Sequence, residues 1–341
     1  MGGIISSSIS TKLVSELQEF ITPENNVLWQ QRVLPKSLKA GSKVAITAPA
    51  SPVSLWELRN TTKDLKRMGL EVEIGDTIRK HDSDYRYLSA SDQERADEFM
   101  HYIESPEIDC ILAGRGGYGV MRILPLLDYE VIKKNPKIIV GFSDITALLI
   151  AISVKTGLVT FHGPVGVVNF NSFTIKYFKD MLFQKEAFEP ITISNRRYNV
   201  INEGICSGML TGGNLTLVVA TLGSQYEINT DGKILFLEDV TVEPYHIDRM
   251  LTQLWLAGKF DKCKGVIFGD FKGLDTRKNF YPVRSFTRRQ VIYSRMKEIG
   301  VPSILGVEIG HDKHKITMPL GTNAMLNATD KTFTFLEPSV K

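Results

Sequence analysis

The sequence predicts a soluble α/β protein of two domains. The first is a doubly wound, mostly parallel sheet of Rossmann or flavodoxin type; the second is a smaller mixed α/β domain of β-barrel-like, swivelling character. Three observations support the α/β, two-domain part of this expectation. Short apolar runs alternate with capped helical stretches from Lys43 to Lys155, the rhythm of β-α units. After Asn202 the texture changes to glycine-separated strands with fewer helices. The chain of 341 residues, 43% apolar and 23% charged, has a globular composition and length for about two domains of roughly 150 residues.

Residues 1–36 read as an extension, with a short helix around Thr11–Phe20 and prolines at 23 and 35. The first domain is expected over 37–184. Lys43–Ala48 is its first strand, and Ser54-x-x-Glu57 is a capping box opening a helix to Met68, closed by Gly69. Leu70–Ile74 is the next strand, and Ser91-x-x-Glu94 opens a second capped helix through Ile103. Strand Asp109–Ala113 runs into a glycine-rich turn, Gly114–Gly119, and a helix over Val120–Leu127. Strand Lys137–Val140 leads through Gly141-Phe142-Ser143-Asp144 into the apolar helix Ile145–Lys155. A polar, irregular linker is expected over 185–206 and the second domain over 207–341. Its elements are a glycine-rich run Gly208–Gly213, a helix Leu215–Leu222, a strand Lys233–Leu237 ending in Glu238-Asp239, and a helix Tyr245–Leu256. Strand Gly265–Gly269, helix Thr287–Ile299 and several short strands over Ile304–Leu336 complete it.

Composition excludes several functions. A net charge of +3 gives no basic excess to hold nucleic acid. Cys110, Cys206 and Cys263 lie far apart, which argues against a disulfide framework or structural zinc and for a reducing, cytoplasmic setting. No segment reads as a signal peptide or a membrane span. Gly2 and Ser6 fit the myristoylation pattern M-G-x-x-x-[ST], and a single acyl chain there would anchor only marginally.

Chemistry concentrates at two turns. In G-F-S-D a strand meets a helix at once. Ser143 on such a turn would expose its Oγ and direct the next backbone N–H toward a developing oxyanion. Alternatively, Ser143 or Asp144 simply caps the helix. The turn Gly114-Arg115-Gly116-Gly117-Tyr118-Gly119 is out of register with a dinucleotide fingerprint. Its glycines suit either an oxyanion or carboxylate cradle or a tight strand-to-helix turn. A serine nucleophile needs a base, and His162, His246 and His311 all sit at element ends where one could stand; His101 reads as a surface or core-edge helix residue. Glu238 ends an apolar strand, positioned to orient such a base or to face solvent. His311-x-x-His314 has no carboxylate partner at metal-site spacing, so no metal or cofactor is expected.

Taken together, these strings resemble the LD-carboxypeptidases, or muramoyltetrapeptide carboxypeptidases, relatives of the microcin-immunity serine hydrolases. The resemblance rests on Y-L-S-A at 87–90, E-R-A at 94–96, P-E-I-D at 106–109 and A-G-R-G-G-Y-G at 113–119. It continues with L-L-D-Y at 126–129, G-F-S-D-I-T at 141–146, F-H-G-P at 161–164, G-G-N-L at 212–215 and L-E-D-V at 237–240. P-Y-H-I-D-R-M-L at 244–251, I-F-G-D-F at 267–271, I-G-H at 309–311 and M-P-L-G at 318–321 complete it, in order from Leu34 to Leu336. It implies a serine carboxypeptidase that releases terminal D-alanine from murein tetrapeptides through a Ser143–His311–Glu238 triad. The oxyanion hole it implies is the backbone N–H of Asp144 and of Gly117, with Gly116 as the alternative glycine. Arg115, Gly116 and Arg249 are candidates for binding the substrate. The alternatives are a same-fold hydrolase of a peptidyl-nucleotide antibiotic and a non-catalytic muropeptide-binding protein. The stretch between Ser143 and Glu238 looks like the compact carboxypeptidase form. The sequence itself is silent on oligomeric state; many relatives dimerise, so by resemblance a homodimer is possible. The extension over 1–36 departs from bacterial members of the family.

Overall fold

The computed structural model describes residues 32–79, 86–183, 189–269, 271 and 286–341. Gly2, Ser6 and the helix expected over Thr11–Phe20 lie outside the described residues. In chain order the strands of the first half are β1 (Lys43–Thr47), β2 (Glu71–Ile74), β3 (Cys110–Ala113), β4 (Ile138–Gly141) and β5 (Thr160–His162). Those of the second half are β6 (Ile191–Ser194), β7 (Asn199–Asn202), β8 (Ile205–Asn214), β9 (Ile234–Glu238), β10 (Gly265–Gly269), β11 (Ser303–Val307), β12 (Met318–Leu320), β13 (Asn323–Asn327) and β14 (Thr332–Phe335).

The first sheet runs β12-β5-β4-β3-β1-β2. Its five N-terminal strands are mutually parallel, and only β12 joins antiparallel. Residues 110–113 and 138–141 are buried throughout, as befits strands covered on both faces. The order reverses between β1 and β3, so the loops leaving β1, β3 and β4 open onto the crevice where ligands of such sheets bind. Ser91 and Glu94 form the expected capping box of the helix Asp92–Glu104. Ser54 and Glu57 exchange the same bonds, but the helix there begins only at Arg59. The helix Thr146–Thr156 is apolar nearly all round and almost wholly buried, and it stops at Gly157 in the left-handed region, where glycine carries no Cβ penalty.

The second sheet runs β6-β14-β13-β8-β9-β10-β11-β7 and remains open, so the barrel-like expectation gives way to an eight-stranded mixed sheet, larger than the first. Strands β8 to β11 are parallel, flanked by antiparallel neighbours. Three expectations are corrected. The linker expected over 185–206 contains β6 and β7, the two edge strands of this sheet. Their polar residues read as irregular because an edge strand faces solvent along much of its length. In addition, β12 belongs by sequence to the second half and pairs with β5 of the first sheet. The expected boundary at residue 36 also moves: Val33 bridges to Leu158, Leu38 bridges to Phe183, and Ser37 N–H donates to the carbonyl of Lys341.

Candidate active site

Ser143 follows β4 directly and has φ +64°. A non-glycine residue in that region costs about 1–2 kcal/mol and persists only where the surroundings impose it. Those surroundings are visible on both sides. Gly141 leaves room for Ile145, since a Cβ there would lie 2.6 Å from Ile145 Cγ2. Gly116 presses on the serine itself: a Cβ there would lie 2.8 Å from Ser143 Cβ and 3.1 Å from its Oγ. The side chain of Ser143 caps no helix, and its Oγ has no hydrogen-bond partner among the described residues.

Asp144 caps, but not its own helix. Its Oδ2 accepts the Val120 N–H at 2.8 Å, tying the serine turn to the end of the glycine-rich turn. Burial raises the Asp144 carboxyl to about 6, against the lowering effects of the Val120 N–H and Arg95. Two further residues brace the glycine-rich turn. The Tyr118 N–H donates to Ser51 Oγ at 3.1 Å, while the Ser51 N–H donates to the Gly116 carbonyl at 3.3 Å. Arg95, fully buried, donates to the carbonyls of Pro49 and Gly119 at 2.5 and 3.0 Å. Gly117 has φ +105° and no space for a Cβ, which would meet Ser51 Oγ at 2.2 Å. The backbone N–H groups of Gly117 and Asp144 donate to no other described residue.

Glu238 ends β9 and is completely buried. Its Oε2 accepts from the Nδ1 of His311 at 2.7 Å and from the His311 backbone N–H at 3.2 Å. Its Oε1 accepts from Asn214 Nδ2 at 3.3 Å and lies 3.8 Å from His162 Nε2. Burial alone would push this carboxyl up. The hydrogen bond and charge of His311, with His162 and Asn214, outweigh burial and hold it below the usual carboxylate range. Gly310 makes the approach of His311 possible, because a Cβ there would fall 2.0 Å from Glu238 Oε2. The imidazole of His311 packs edge-on against Phe142, the residue before Ser143, with ring centres 4.8 Å apart. The structure thus joins Glu238 to His311 directly and brings that pair against the serine turn through Phe142.

The pair and the turn are also linked by backbone. Asn214, at the end of β8 and in register with Glu238, takes Thr146 Oγ1 on its own N–H at 3.0 Å. Its side chain donates to Glu238 and to Asp239 and caps the helix Leu215–Ala220. Spacing alone did not single out Asn214, Ser51 or Arg95, because their roles depend on strands brought together by the fold. The G-G-N signal at 212–214 was the one available clue: a Cβ on Gly213 would meet Thr146 Cγ2 at 2.5 Å.

The remaining candidates fall elsewhere. Arg115 pairs with Glu57 at 3.4 Å and donates to the Pro52 carbonyl, and Arg249 lies over the Tyr245 ring. Neither is joined to Ser143, Glu238 or His311 by a hydrogen bond or ion pair. His101 is exposed, His246 stacks on Tyr245, and His314 lies beside Phe173. Lys315, which sequence reasoning passed over, is buried with its Nζ 5.5 Å from the Phe142 ring centre, a cation beside the serine turn. Among the described residues no group of three or more His, Cys, Asp or Glu is arranged to hold a metal.

Comparison with known proteins places this geometry. Residues 44–163 match the LD-carboxypeptidase N-terminal domain and residues 207–326 the LD-carboxypeptidase C-terminal domain. The chain belongs to the LD-carboxypeptidase family of peptidases. It is 37% identical over 306 residues to a probable murein peptide carboxypeptidase of Bacillus subtilis, covering 87% of this chain and 92% of that protein. It is 29% identical to the microcin C7 self-immunity protein MccF of Escherichia coli, covering 85% of this chain and 91% of that protein. The crystal structure of a muramoyltetrapeptide carboxypeptidase from Oxalobacter formigenes superposes with a TM-score of 0.75 at 28% identity. That match covers 87% of this chain and 99% of the other.

Proposed function

We propose that the chain is a serine-type carboxypeptidase that hydrolyses the L,D-peptide bond of murein tetrapeptides and releases the terminal D-alanine. The reading rests on one observation: the Glu238–His311 pair, its carboxylate fully buried, is packed, through Phe142, against a serine held at φ +64° on the turn after β4, beside the glycine-rich turn. Ser143 Oγ attacks the scissile carbonyl carbon while His311 Nε2 takes its proton. Glu238, bonded to Nδ1, fixes the tautomer and stabilises the imidazolium. The oxyanion is received by the backbone N–H groups of Gly117 and Asp144. Collapse expels the D-alanine amine, which takes the proton from His311, and water then cleaves the acyl-serine ester. Hydrogen bonds between nucleophile and base are often loose without substrate and tighten in the complex, which accommodates the unpartnered Oγ. The three unpaired cysteines suit the reducing interior of a cell, where cell-wall peptides are recycled.

The test is release of D-alanine from L-Ala-D-Glu-meso-diaminopimelate-D-Ala by the wild type and by Ser143→Ala. The variant should fold and lose turnover, and unchanged turnover would remove Ser143 from the mechanism. The likeness to MccF favours one second reading, hydrolysis of a peptidyl-nucleotide. An aminoacyl sulfamoyl adenosine cleaved faster than the tetrapeptide would select it.

A further inference from the structure

The triad as proposed leaves a buried histidine beside it without a task. His162 closes β5, between Gly141 of β4 and Met318 of β12, and is completely enclosed. Neither ring nitrogen has a hydrogen-bond partner among the described residues. A buried polar group without a partner is costly, and apolar side chains of the same shape fit such a place more cheaply. The neighbours are indeed apolar: Phe142 and Phe236 meet the ring edge to face, at centre separations of 6.1 and 5.4 Å. Among the polar groups it faces is Glu238, whose Oε1 stands 3.8 Å from His162 Nε2.

That oxygen is the under-supplied half of the carboxylate. Oε2 takes two N–H donors of His311, whereas Oε1 has a single bond at 3.3 Å from Asn214. A carboxylate sealed from water needs donors on both oxygens to stay ionised. We propose that His162 is a positioning residue for Glu238: a neutral imidazole carrying its proton on Nε2, aimed at Oε1, that holds the carboxylate ionised and oriented while Oε2 holds His311. The charged groups facing His162 are Glu238 from β9 and His311 and Lys315 from the segment between β11 and β12. Burial, with His311 and Lys315, lowers the His162 pKa to about 4 against the opposing pull of Glu238. The ring therefore stays neutral where a peptidase of this kind works.

This inference rests on the triad reading above, and the experiment separates the two. His162→Phe keeps the ring and removes the donor; His162→Gln restores an N–H near the position of Nε2. Without the donor, the Glu238–His311 pair binds its proton more tightly whichever member carries it, because the carboxylate charge is less neutralised. For His162→Phe the acid limb of kcat/KM should move to higher pH by about half a unit or more. Its kcat should fall about tenfold with KM within about twofold. His162→Gln should return the limb toward the wild-type position. A melt recorded at each assay pH refers the limb to the folded fraction, so a less stable variant still reports. An unmoved limb in His162→Phe, whether or not the rate falls, assigns the residue to packing and overturns the proposal. A limb equally displaced in His162→Gln does the same. Ser143→Ala is assayed beside them: if it keeps wild-type turnover, the serine reading fails; if it is inactive and the limb of His162→Phe is unmoved, only this inference fails.

Discussion

Replacing Glu238 by glutamine tests how the site uses its buried charge. Both carboxylate oxygens face donors: Oε2 meets Nδ1 and the backbone N–H of His311, and Oε1 meets Asn214 Nδ2. A glutamine amide has one acceptor and one donor end, so it cannot satisfy both sides. With its oxygen toward His311, its NH2 opposes the Asn214 amide. Turned the other way, it opposes the His311 backbone N–H and forces the imidazole into the wrong tautomer. In either orientation the imidazolium formed at the transition state loses its counter-charge. Unit charges with centres about 4 Å apart at an effective dielectric of about 20 interact by about 4 kcal/mol. That corresponds to about a thousandfold in kcat. The assay is D-alanine release under saturating tetrapeptide, with a thermal melt to establish that the variant is folded. The variant should lose kcat by about that factor with little change in KM. A folded variant within tenfold of wild type, or one whose loss lies wholly in KM, would show that Glu238 does not support the base.

Three further outcomes follow from the same geometry. Ser143→Gly should abolish turnover yet raise stability by about 1 kcal/mol in denaturant melts, because glycine accepts φ +64° without strain. Gly310→Ala should lose at least a hundredfold in kcat and about 2 kcal/mol or more of stability, since its Cβ would fall 2.0 Å from Glu238 Oε2. Burial raises the Asp144 carboxyl from its ordinary value of 3.8 to about 6. Its contribution to stability is therefore full below pH 4 and is lost as pH rises through 6. Relative to Asp144→Asn, the wild type should lose on the order of 2–3 kcal/mol across that window and nothing further above it, as read by melts from pH 3.5 to 8.

The parts of the fold legible in the sequence were those set by local chemistry. Apolar runs marked the first four strands, of which β3 and β4 are buried along their whole length, and the Ser91–Glu94 capping box marked the start of the helix Asp92–Glu104; β5, three residues long, carries too short a run to stand out. What escaped was set by partners distant in sequence. The strands β6 and β7 are short and polar, and β12 is a three-residue element whose neighbour lies in the other sheet. β7 and β12 have no periodicity of their own, and the two-residue alternation of β6, I-T-I-S, lasts only four residues. They are strands because an open edge was there to receive them.

The site divides along the same line, and the division explains why its supporting residues are harder to read than its reactive ones. Ser143, Glu238 and His311 each end or follow a recognisable strand, but position alone left a helix cap and other histidines open, and the resemblance to the family singled out these three. Asn214, Ser51 and Arg95 act by holding something that arrives from another part of the chain, a carboxylate or a glycine turn, and His162, which position offered as a base, does the same for a second carboxylate oxygen. Their identity is fixed by three-dimensional demands, such as an uncompensated buried charge or an unsatisfied turn carbonyl, that no spacing encodes. Strain is the bridge between the two groups. Ser143 can be held at φ +64° only because Gly116 comes within contact of its side chain and Asp144 ties the elbow to Val120. Gly116 in turn stays there because Ser51 binds its carbonyl, while Arg95 anchors Gly119 at the end of the same turn. Relaxing the brace should therefore cost activity before it costs the fold. Ser51→Ala, which removes the Tyr118 contact at 3.1 Å and leaves the core intact, should lower kcat by about tenfold while shifting stability by only about 1 kcal/mol. A Ser51→Ala enzyme with wild-type kcat would show that the glycine turn holds its shape without the Ser51 hydroxyl.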